Sequence, residues 1–288
     1  MQEQACQSTL GVLYCVATPI GNLADISHRA LDVLGRVAVI AAEDTRHTGR
    51  LLAHFAISRP LLSFHEHNEA QRSPMLLARL EAGESIALVS DAGTPLISDP
   101  GFRLVREARL RGLPVSPIPG ACSIIAALSV AGLPTDRFVF EGFLPARPSA
   151  RQRYLQGLRS EPRTLIFLES SHRIGAALYD LVAVFGATRM ATLARELTKR
   201  YETVRLDTLT GLASWVVAQA ERERGEFVLV VAGASAELQP QHAASLAPEM
   251  ALGVLLEELP VKQAARLVAR LTGAPRNELY RLALKQRH

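Results

Sequence analysis

SDAGTPLISDPG, residues 90–101, directly follows the apolar run Ile86-Ala87-Leu88-Val89. That run is short and bounded by polar residues, which is typical of a buried strand. The stretch after it is rich in glycine, proline and small hydroxyl or carboxylate side chains, so it predicts a loop with much exposed backbone. Open α/β sheets bind ligands in loops at the carboxyl ends of their strands. The stretch therefore indicates an α/β fold with a ligand site at this end of the strand.

Similar apolar runs recur in the first part of the chain, and most of them are separated by amphipathic helical patterns. This alternation predicts an α/β fold with a largely parallel sheet. Asp25 or Ser27 is expected to cap a helix over 29–34, and Gly83 to end a helix over 73–82. The predicted strands are 11–18, 37–42, 60–64, 85–90 and 114–118.

A second series of strands begins after Pro119-Gly120, which places a domain boundary near residue 119. Residues 194–208 contain two adjacent strand patterns with no helix between them, and this predicts an antiparallel hairpin. The expected strands of the second series are 138–143, 164–168, 189–194, 201–208 and 226–231, and its expected helices are 120–131, 173–185 and 212–224.

The last part of the chain differs in composition. From Gly233 to about Ser245 it is rich in Ala, Ser, Gln and Pro, which is typical of a linker. Residues 248–288 are basic with helical periodicity, and they are few for a core of their own. The predicted domains are 11–119, 120–236 and a small helical extension over 248–288. The expected apolar anchors of the extension are Leu255, Leu259, Leu267, Leu271, Leu279 and Leu282.

Composition excludes several classes of protein. The 288 residues are 48% hydrophobic and 21% charged, as in a globular protein of two domains. The longest apolar stretch, 121–133, is too short and too interrupted to cross a membrane. The N-terminus does not resemble a secretion signal. We therefore expect a cytoplasmic protein. Cys6, Cys15 and Cys122 lie far apart, which supports neither a disulfide framework nor a metal site.

The net charge of +4 arises after residue 119, because the residues before it carry slightly more acidic than basic side chains. An arginine-rich surface in the second half could bind phosphate groups. A solvated face without a partner is the alternative that charge alone leaves open.

Three loops with ligand-binding character follow predicted strands: 18–22, 90–101 and 117–123. Each contains a glycine, which allows the backbone to approach a ligand closely. Each alone is also consistent with a simple turn, but three at one sheet edge favour a site. The chain contains neither G-x-G-x-x-G nor G-x-x-x-x-G-K-[ST], so a dinucleotide or nucleoside triphosphate site is disfavoured.

Seven motifs occur in the order typical of one family, and they span roughly residues 11 to 236. The chain resembles the RNA-modifying branch of the tetrapyrrole methylase superfamily, which methylates the ribose 2′-hydroxyl of a cytidine in 16S ribosomal RNA. Gly93-Thr94-Pro95 stands where the superfamily has Gly-Asp-Pro, which separates this chain from the porphyrin and corrin methylases. The motifs are Ala17–Leu23, Ala42–Arg46, His65–Glu69, Ser90–Gly101, Phe140–Pro145, Glu169–Arg173 and Ala194–Lys199.

The resemblance implies two α/β domains of the tetrapyrrole methylase type with a cofactor cleft between them, plus a small helical C-terminal extension. It also implies S-adenosyl-L-methionine as cofactor, 16S rRNA within the small ribosomal subunit as partner, and a homodimer. The extension resembles that of the RNA-modifying branch, where it would serve in RNA docking, or else as a dimer or packing element. The implied cofactor-binding residues are Pro19, Gly21, Ser90, Asp91, Ala92, Gly93, Thr94, Ser98, Pro119, Gly120, Ser123 and Glu169.

Lys199 is the first candidate for a catalytic residue, because the chain has 3 lysines against 29 arginines and the other two lie in the extension. A partly buried lysine can have a lowered pKa and act as a base, or it can stabilise an alkoxide, whereas arginine stays charged. Glu196 and Glu169 are carboxylates that could orient it. The alternative is a structural salt bridge between Lys199 and Glu196.

His65 is a second catalytic candidate. His65, His67 and Glu69 share one face if the strand from residue 61 extends through them, and they could then contact the ribose or act as a base. The alternative is that these residues cap the following helix. Arg46 is expected either to pair with Glu43 or Asp44 or to bind RNA phosphate.

Two other functions remain open from the sequence. One is methylation of a tetrapyrrole or a protein side chain by an enzyme of the same fold, against which the basic second half argues. The other is a non-catalytic RNA-binding protein of ribosome assembly.

Overall fold

The computed structural model describes residues 10–234 and 248–286. Cys6, the N-terminal segment, the predicted linker from residue 235 onward and Arg287 lie outside the described residues. The chain folds into two compact units, one comprising residues up to 156 and 163–232, the other comprising 157–162 and the residues from 233 onward. Within the described ranges, no helix combines the length and the apolarity that a membrane crossing requires.

The first unit contains two sheets, and all five strands predicted for the first sheet are confirmed with shorter ends. They are β1 (Leu13–Val16), β2 (Val39–Ala42), β3 (Leu61–Ser63), β4 (Ile86–Val89) and β5 (Val115–Ile118). Their order across the sheet is β3-β2-β4-β1-β5, and every neighbouring pair is parallel. β1 therefore lies between β4 and β5, which brings the loops after these three strands to one edge.

Both faces of this sheet are buried, which explains why its strands are continuous apolar runs. Leu13 and Leu88 belong to the core on one face, whereas Val16 and Val89 belong to the core on the other. The helices that follow these strands are α1 (His28–Arg36), α2 (Thr45–His54), α3 (Glu69–Glu81), α4 (Phe102–Leu110) and α5 (Ser123–Val130). Ser27, rather than Asp25, caps α1, because its hydroxyl accepts the N–H of Ala30.

The second sheet is mixed, with strands β6 (Phe138–Phe143), β7 (Thr164–Ser170), β8 (Met190–Arg195), β9 (Thr203–Thr208) and β10 (Glu226–Val231) in the order β6-β7-β10-β8-β9. The predicted hairpin is confirmed, because β8 pairs antiparallel with β9. The helices of this part are α6 (Pro148–Leu158), α7 (Ile174–Phe185) and α8 (Leu209–Val217). The helix predicted over 212–224 begins earlier in the structure, at residue 209. The Thr208 hydroxyl accepts the N–H of Gly211 and caps α8 at this position.

Helix α5 packs on the second sheet, although it follows the last strand of the first. Ile124 and Leu128 of α5 are buried against Ile166 and Val228 of that sheet, and Ile20 from the loop after β1 joins the same cluster. Loops of the first sheet thereby meet the second sheet directly. The division of this unit into separate domains at residue 119 stays a prediction.

The second unit is helical, as predicted, with α9 (Pro248–Glu258), α10 (Val261–Thr272) and α11 (Arg276–Gln286). Its core differs from the expected leucine set, since Leu271 is exposed. Small side chains allow the helices to approach closely, and the buried residues are Ala251, Leu252, Val261, Ala264, Ala265, Val268, Leu279 and Ala283. Gly273 ends α10 in the left-handed conformation, with φ of 74°.

Candidate active site

The three predicted ligand loops do meet at one edge of the first sheet. Thr18 and Gly93 exchange two backbone hydrogen bonds, of 2.9 Å and 3.0 Å. The hydroxyl of Thr94 donates to the carbonyl of Ala121 at 3.1 Å, which joins the loop after β4 to the loop after β5. The prediction that these loops converge is therefore confirmed.

Two glycines of these loops lie where a side chain would first contact protein atoms. Gly93 has φ of 82°, and a Cβ placed there would lie 3.3 Å from Ile20 Cγ2. A Cβ at Gly120 would lie 3.0 Å from the Cβ of Ala17. Both glycines therefore allow the close packing of the loops around the site.

Four residues other than glycine adopt left-handed backbone conformations in two loops of this region. Leu96 and Ser98 have φ of 73° and 66° in the loop after β4, and Glu196 and Thr198 have φ of 52° and 65° in the loop after β8. Such conformations are unfavourable for residues with a Cβ and are concentrated at functional sites. Both loops therefore bear the strain expected of a binding site.

A cavity of about 500 Å³ lies between the loops of the first sheet and the face of the second sheet. Its walls combine apolar side chains with five carboxylates, and no lysine, arginine or histidine of the described residues lines it. Asp91, Ala92, Ser98, Ser123 and Glu169 of the implied cofactor set line it. Ser90, Gly93, Thr94, Pro119 and Gly120 do not line it and instead support the loops around it. The carboxylates are Glu43, Asp91, Asp99, Glu169 and Glu226.

Three of these carboxyl groups influence one another. Burial raises the pKa of Asp99 to about 6, the hydroxyl of Ser90 lowers it, and the charges of Glu43 and Asp91 raise it further. Burial and the charge of Asp91 likewise raise the pKa of Glu43. The Asp91 carboxylate accepts the N–H of Asp44 at 3.0 Å, which fixes its orientation. This crowding of negative groups favours a cationic ligand.

Glu169 does not orient Lys199, contrary to expectation. Its side chain is buried, and its Oε1 accepts the N–H of Ser170 at 2.9 Å while its Oε2 lies 3.1 Å from Arg173 Nη2. Burial raises its pKa, although Ser170 and Arg173 oppose that effect. Glu169 is thus part of the cavity wall, and Arg173 is its cationic partner.

A second cavity, of about 310 Å³, adjoins the first and shares Ile20, Asp91, Ala92 and Glu226 with it. Pro19 and Gly21 of the implied cofactor set line this smaller cavity. Its lining differs in charge from that of the larger one, because it includes His47, Arg50 and Lys199.

Lys199 lies between two carboxylates at this smaller cavity. Its Nζ is 2.9 Å from Glu196 Oε1 and 3.0 Å from Glu226 Oε2. Its aliphatic stem occupies the space beside Gly21, where a Cβ would lie only 2.3 Å from Lys199 Cγ. The predicted pairing with Glu196 is confirmed, and Glu226 is an additional partner that the sequence did not indicate.

The expected lowering of the Lys199 pKa is wrong for this arrangement. Partial burial lowers the pKa, but the hydrogen bonds with Glu196 and Glu226 outweigh burial and raise it above the ordinary value. The two ion pairs favour the cationic form of Lys199, and a cation suits stabilisation of negative charge.

His65 lies in a turn before α3, not on an extended strand, because β3 ends at Ser63. Its carbonyl accepts the N–H groups of Asn68 and Glu69, and its Nε2 lies 3.1 Å from Asn68 Nδ2. The capping alternative is not supported either, because the N-cap of α3 is Asn68 and makes no side-chain cap hydrogen bond. Glu69 instead accepts the N–H of Arg103 at 2.9 Å, at the start of α4. His65 lines neither cavity.

Several residues at the two cavities were not predicted from the sequence. Asp99 lies within the quoted loop, where its carboxylate between serine and proline was a usable signal. Glu226 begins a strand of ordinary pattern, and His47 and Arg50 lie on an ordinary amphipathic helix. Only the packing of two sheets brings these three residues together.

Comparison with known proteins identifies the family. The family model described as "Tetrapyrrole (Corrin/Porphyrin) Methylases" matches residues 12–213, and one described as "RsmI C-terminal HTH domain" matches residues 242–287. The chain belongs to the tetrapyrrole methylase family, and the predicted resemblance to it is confirmed.

Relatives of nearly full length bear one name, "Ribosomal RNA small subunit methyltransferase I". The relative from Xylella fastidiosa (strain Temecula1) is 56% identical, covering 95% of this chain and 99% of its own. The relative from Pseudomonas aeruginosa is 54% identical, covering 96% and 98%. The relative from Escherichia coli O157:H7 is 52% identical, covering 99% of each chain.

Solved structures share the fold at low identity. Diphthine synthase superposes with a TM-score of 0.58 at 16% identity, covering 94% of this chain and 100% of its own. A uroporphyrin-III C-methyltransferase from Thermus thermophilus, complexed with S-adenosyl homocysteine, has a TM-score of 0.53 at 18% identity, with coverages of 77% and 97%. The predicted fold class is thereby confirmed.

Proposed function

We propose that the protein transfers a methyl group from S-adenosyl-L-methionine to the ribose 2′-hydroxyl of a cytidine in 16S ribosomal RNA. The observation that carries this proposal is the larger cavity, whose apolar walls and five carboxylates complement a cationic sulfonium cofactor. Relatives of about half identical sequence, named as small-subunit rRNA methyltransferases, support the choice of substrate. The alternative of tetrapyrrole methylation has no comparable support.

The cavity has the size and chemistry that the cofactor requires. Its volume of about 500 Å³ lies within the roughly 300–1,000 Å³ usual for small-molecule sites. Leu168, Phe227 and Val228 offer apolar surface for an adenine ring, while Asp99 and Glu169 offer carboxylates for amino and hydroxyl groups. Asp91, Ala92, Ser98, Ser123 and Glu169 of the implied set are proposed to contact the cofactor directly, and the other members to shape the loops around it.

When bound, the cofactor would supply an electrophilic methyl carbon to the ribose oxygen, the carbon–sulfur electron pair would stay on sulfur, and the hydroxyl proton would pass to solvent water. The protein positions the two reactants and stabilises negative charge on the oxygen. Lys199 is the proposed cation for that charge, and Glu196 and Glu226 hold its ammonium in place.

Cofactor affinity is expected to depend on pH through Asp99. Because its pKa is raised to about 6, Asp99 is ionised at pH 7.5 and mostly protonated at pH 5. A cation prefers the ionised form, so affinity for S-adenosylmethionine should fall about tenfold between these pH values. Folding stability should respond in the opposite sense. The Asp99 pKa is higher in the native chain than in the unfolded chain, so the native chain binds this proton first as the pH falls. The contribution of Asp99 to the free energy of unfolding therefore increases as the pH falls through about 6.

Calorimetry on the wild type and on Asp99→Asn checks this expectation, because the variant should lose most of the pH dependence. An equally steep dependence in Asp99→Asn would assign the effect to another group.

The helical extension is proposed as a further RNA contact. Helices α10 and α11 carry six basic side chains and one acidic side chain among their described residues, whereas α9 carries acidic side chains only. Lys262, Arg266 and Arg270 are exposed and spaced four residues apart, so they form one stripe on α10.

Replacing all three stripe residues with glutamine should weaken RNA binding. It should also lower the slope of log affinity against log salt by about 2 to 3, because each phosphate that is no longer neutralised reduces the slope by roughly 0.7–0.9. Filter binding at several salt concentrations measures the slope. Cofactor affinity should stay unchanged, and an unchanged slope would make the extension a packing element.

A homodimer is proposed on the family resemblance and on exposed apolar residues of the first unit. Ile125 and Val130 of α5 and Val204 and Leu206 of β9 are exposed, and Leu206 lies beside Gly132. A second copy of the chain could cover exposed apolar side chains of this kind. Sedimentation velocity would give the mass of two chains; the mass of one chain would contradict the proposal.

We also propose that the enzyme acts in the cytoplasm, on RNA of the small subunit.

One experiment tests the function itself. The protein is incubated with radiolabelled methyl donor and either naked 16S RNA or assembled 30S particles, and the labelled nucleotide is mapped. Label on a cytidine ribose is the expected result. Cofactor binding without label on any RNA would favour the alternative of a non-catalytic assembly protein.

A further inference from the structure

The two adjoining cavities of the first unit differ in their basic side chains. The larger is lined by five carboxylates and by no basic side chain of the described residues. The smaller shares Asp91 and Glu226 with it and adds His47, Arg50 and Lys199. Basic side chains at a cavity mouth attract anionic ligands, and RNA is an anionic polymer.

We propose that the smaller cavity is the acceptor subsite, in which Arg50 and His47 bind the RNA phosphate next to the target ribose while Lys199 faces the ribose oxygen. This inference rests on the proposed function and specifies where its RNA substrate binds. The two cavities meet at Ile20, Asp91, Ala92 and Glu226, and that junction is where methyl carbon and ribose oxygen would approach.

Helix α2 positions the two phosphate-binding side chains. His47 and Arg50 are three residues apart, so they project from one face of the helix. Both are exposed, which places them at the mouth of the cavity, where a polymer enters from solvent. The helix begins directly after β2, close to the edge where the ligand loops meet.

The side chain of Arg50 has no partner within the described residues, whereas that of its neighbour Arg46 has one. Arg46 makes two hydrogen bonds with the carboxylate of Asp44, at 2.9 Å and 3.2 Å, although its side chain is largely exposed. The guanidinium of Arg50 forms no ion pair or hydrogen bond with the part of the chain that the structure describes. Arg50 also lines the smaller cavity, which Arg46 does not, and its planar guanidinium matches two phosphate oxygens.

The chemistry of RNA explains why binding of a phosphate would matter for methyl transfer. The ribose 2′-oxygen and the 3′-phosphate are attached to neighbouring ring carbons, so holding the phosphate restricts the position of the oxygen. Contacts to phosphate fix register without reading sequence. Arg50 is thus a positioning residue whose removal should affect RNA affinity more than the chemical step.

The test compares Arg50→Gln with Arg109→Gln, since Arg109 is an exposed arginine of α4 that lines neither cavity. The substrate is whichever of naked 16S RNA and 30S particles the wild type labels. Arg50→Gln should raise the KM for RNA about tenfold and lower the salt slope by roughly 0.7–0.9. Cofactor affinity, measured by calorimetry, should stay unchanged in both variants.

Arg50→Lys retains the charge but lacks the planar fork, so it should recover part of the KM and most of the salt slope. Equal KM and slope in Arg50→Gln and Arg109→Gln would overturn the acceptor subsite while leaving the methyltransferase function intact. Failure of the wild type to label any RNA would instead refute the proposed function, and the acceptor subsite with it.

Discussion

Lys199→Met is expected to lower the single-turnover rate of methyl transfer by about 100-fold or more, the scale seen when one group that stabilises an oxyanion is removed. The ammonium lies 2.9 Å and 3.0 Å from two carboxylates beside the smaller cavity. Removing it takes away the cation proposed to stabilise the reacting oxygen and leaves Glu196 and Glu226 without their shared partner. Rapid-quench measurement with saturating cofactor and RNA isolates the chemical step.

Lys199→Arg separates the two roles that the sequence left open. The structure holds Lys199 as a cation, so arginine, which also stays charged, should keep the rate within about tenfold of the wild type. A loss of rate as large as that of methionine would instead mean that a lysine able to release its proton is required. Arg200→Met, at the exposed neighbouring position, serves as the matched control and should leave the rate unchanged.

Ser123→Trp should abolish measurable binding of S-adenosylmethionine, a decrease of more than about 100-fold in affinity. Ser123 is the first residue of α5 and lines the larger cavity, so an indole there would occupy volume proposed for the cofactor. The change lies at a half-buried helix start and should disturb the fold little. Calorimetric titration measures the affinity.

The matched control is Ser129→Trp, because Ser129 is an exposed serine of the same helix. It should bind the cofactor like the wild type. Full affinity in a folded Ser123→Trp variant would place the cofactor outside the larger cavity.

The strands and the ligand loops could be predicted from the sequence because they depend on local patterns. The apolar run 86–89 and the polar loop after it specify a buried strand and a turn without help from distant residues. The error at α8 was also local, since the capping hydroxyl of Thr208 was overlooked.

The charge states and the partners of the site could not be predicted in the same way. The pKa of Lys199 depends on Glu226, which reaches it only because β10 and β8 pair in the second sheet. The Arg50 side chain has no hydrogen-bond or ion-pair partner among the described residues, whereas Arg46 pairs with Asp44. The spacing of residues in the sequence does not predict this difference. The strand pattern that grouped His65 with His67 and Glu69 was wrong because β3 stops at Ser63, and strand ends are the least certain part of any pattern.

The contact between Gly21 and Lys199 links two positions that are far apart in the sequence. A Cβ at residue 21 would overlap the lysine stem, so even alanine there would displace the ammonium from its two carboxylates. We therefore expect a larger residue at position 21 to be tolerated only together with a shorter side chain at position 199. The two positions form one steric unit, in which a glycine after β1 accommodates a lysine from the loop after β8.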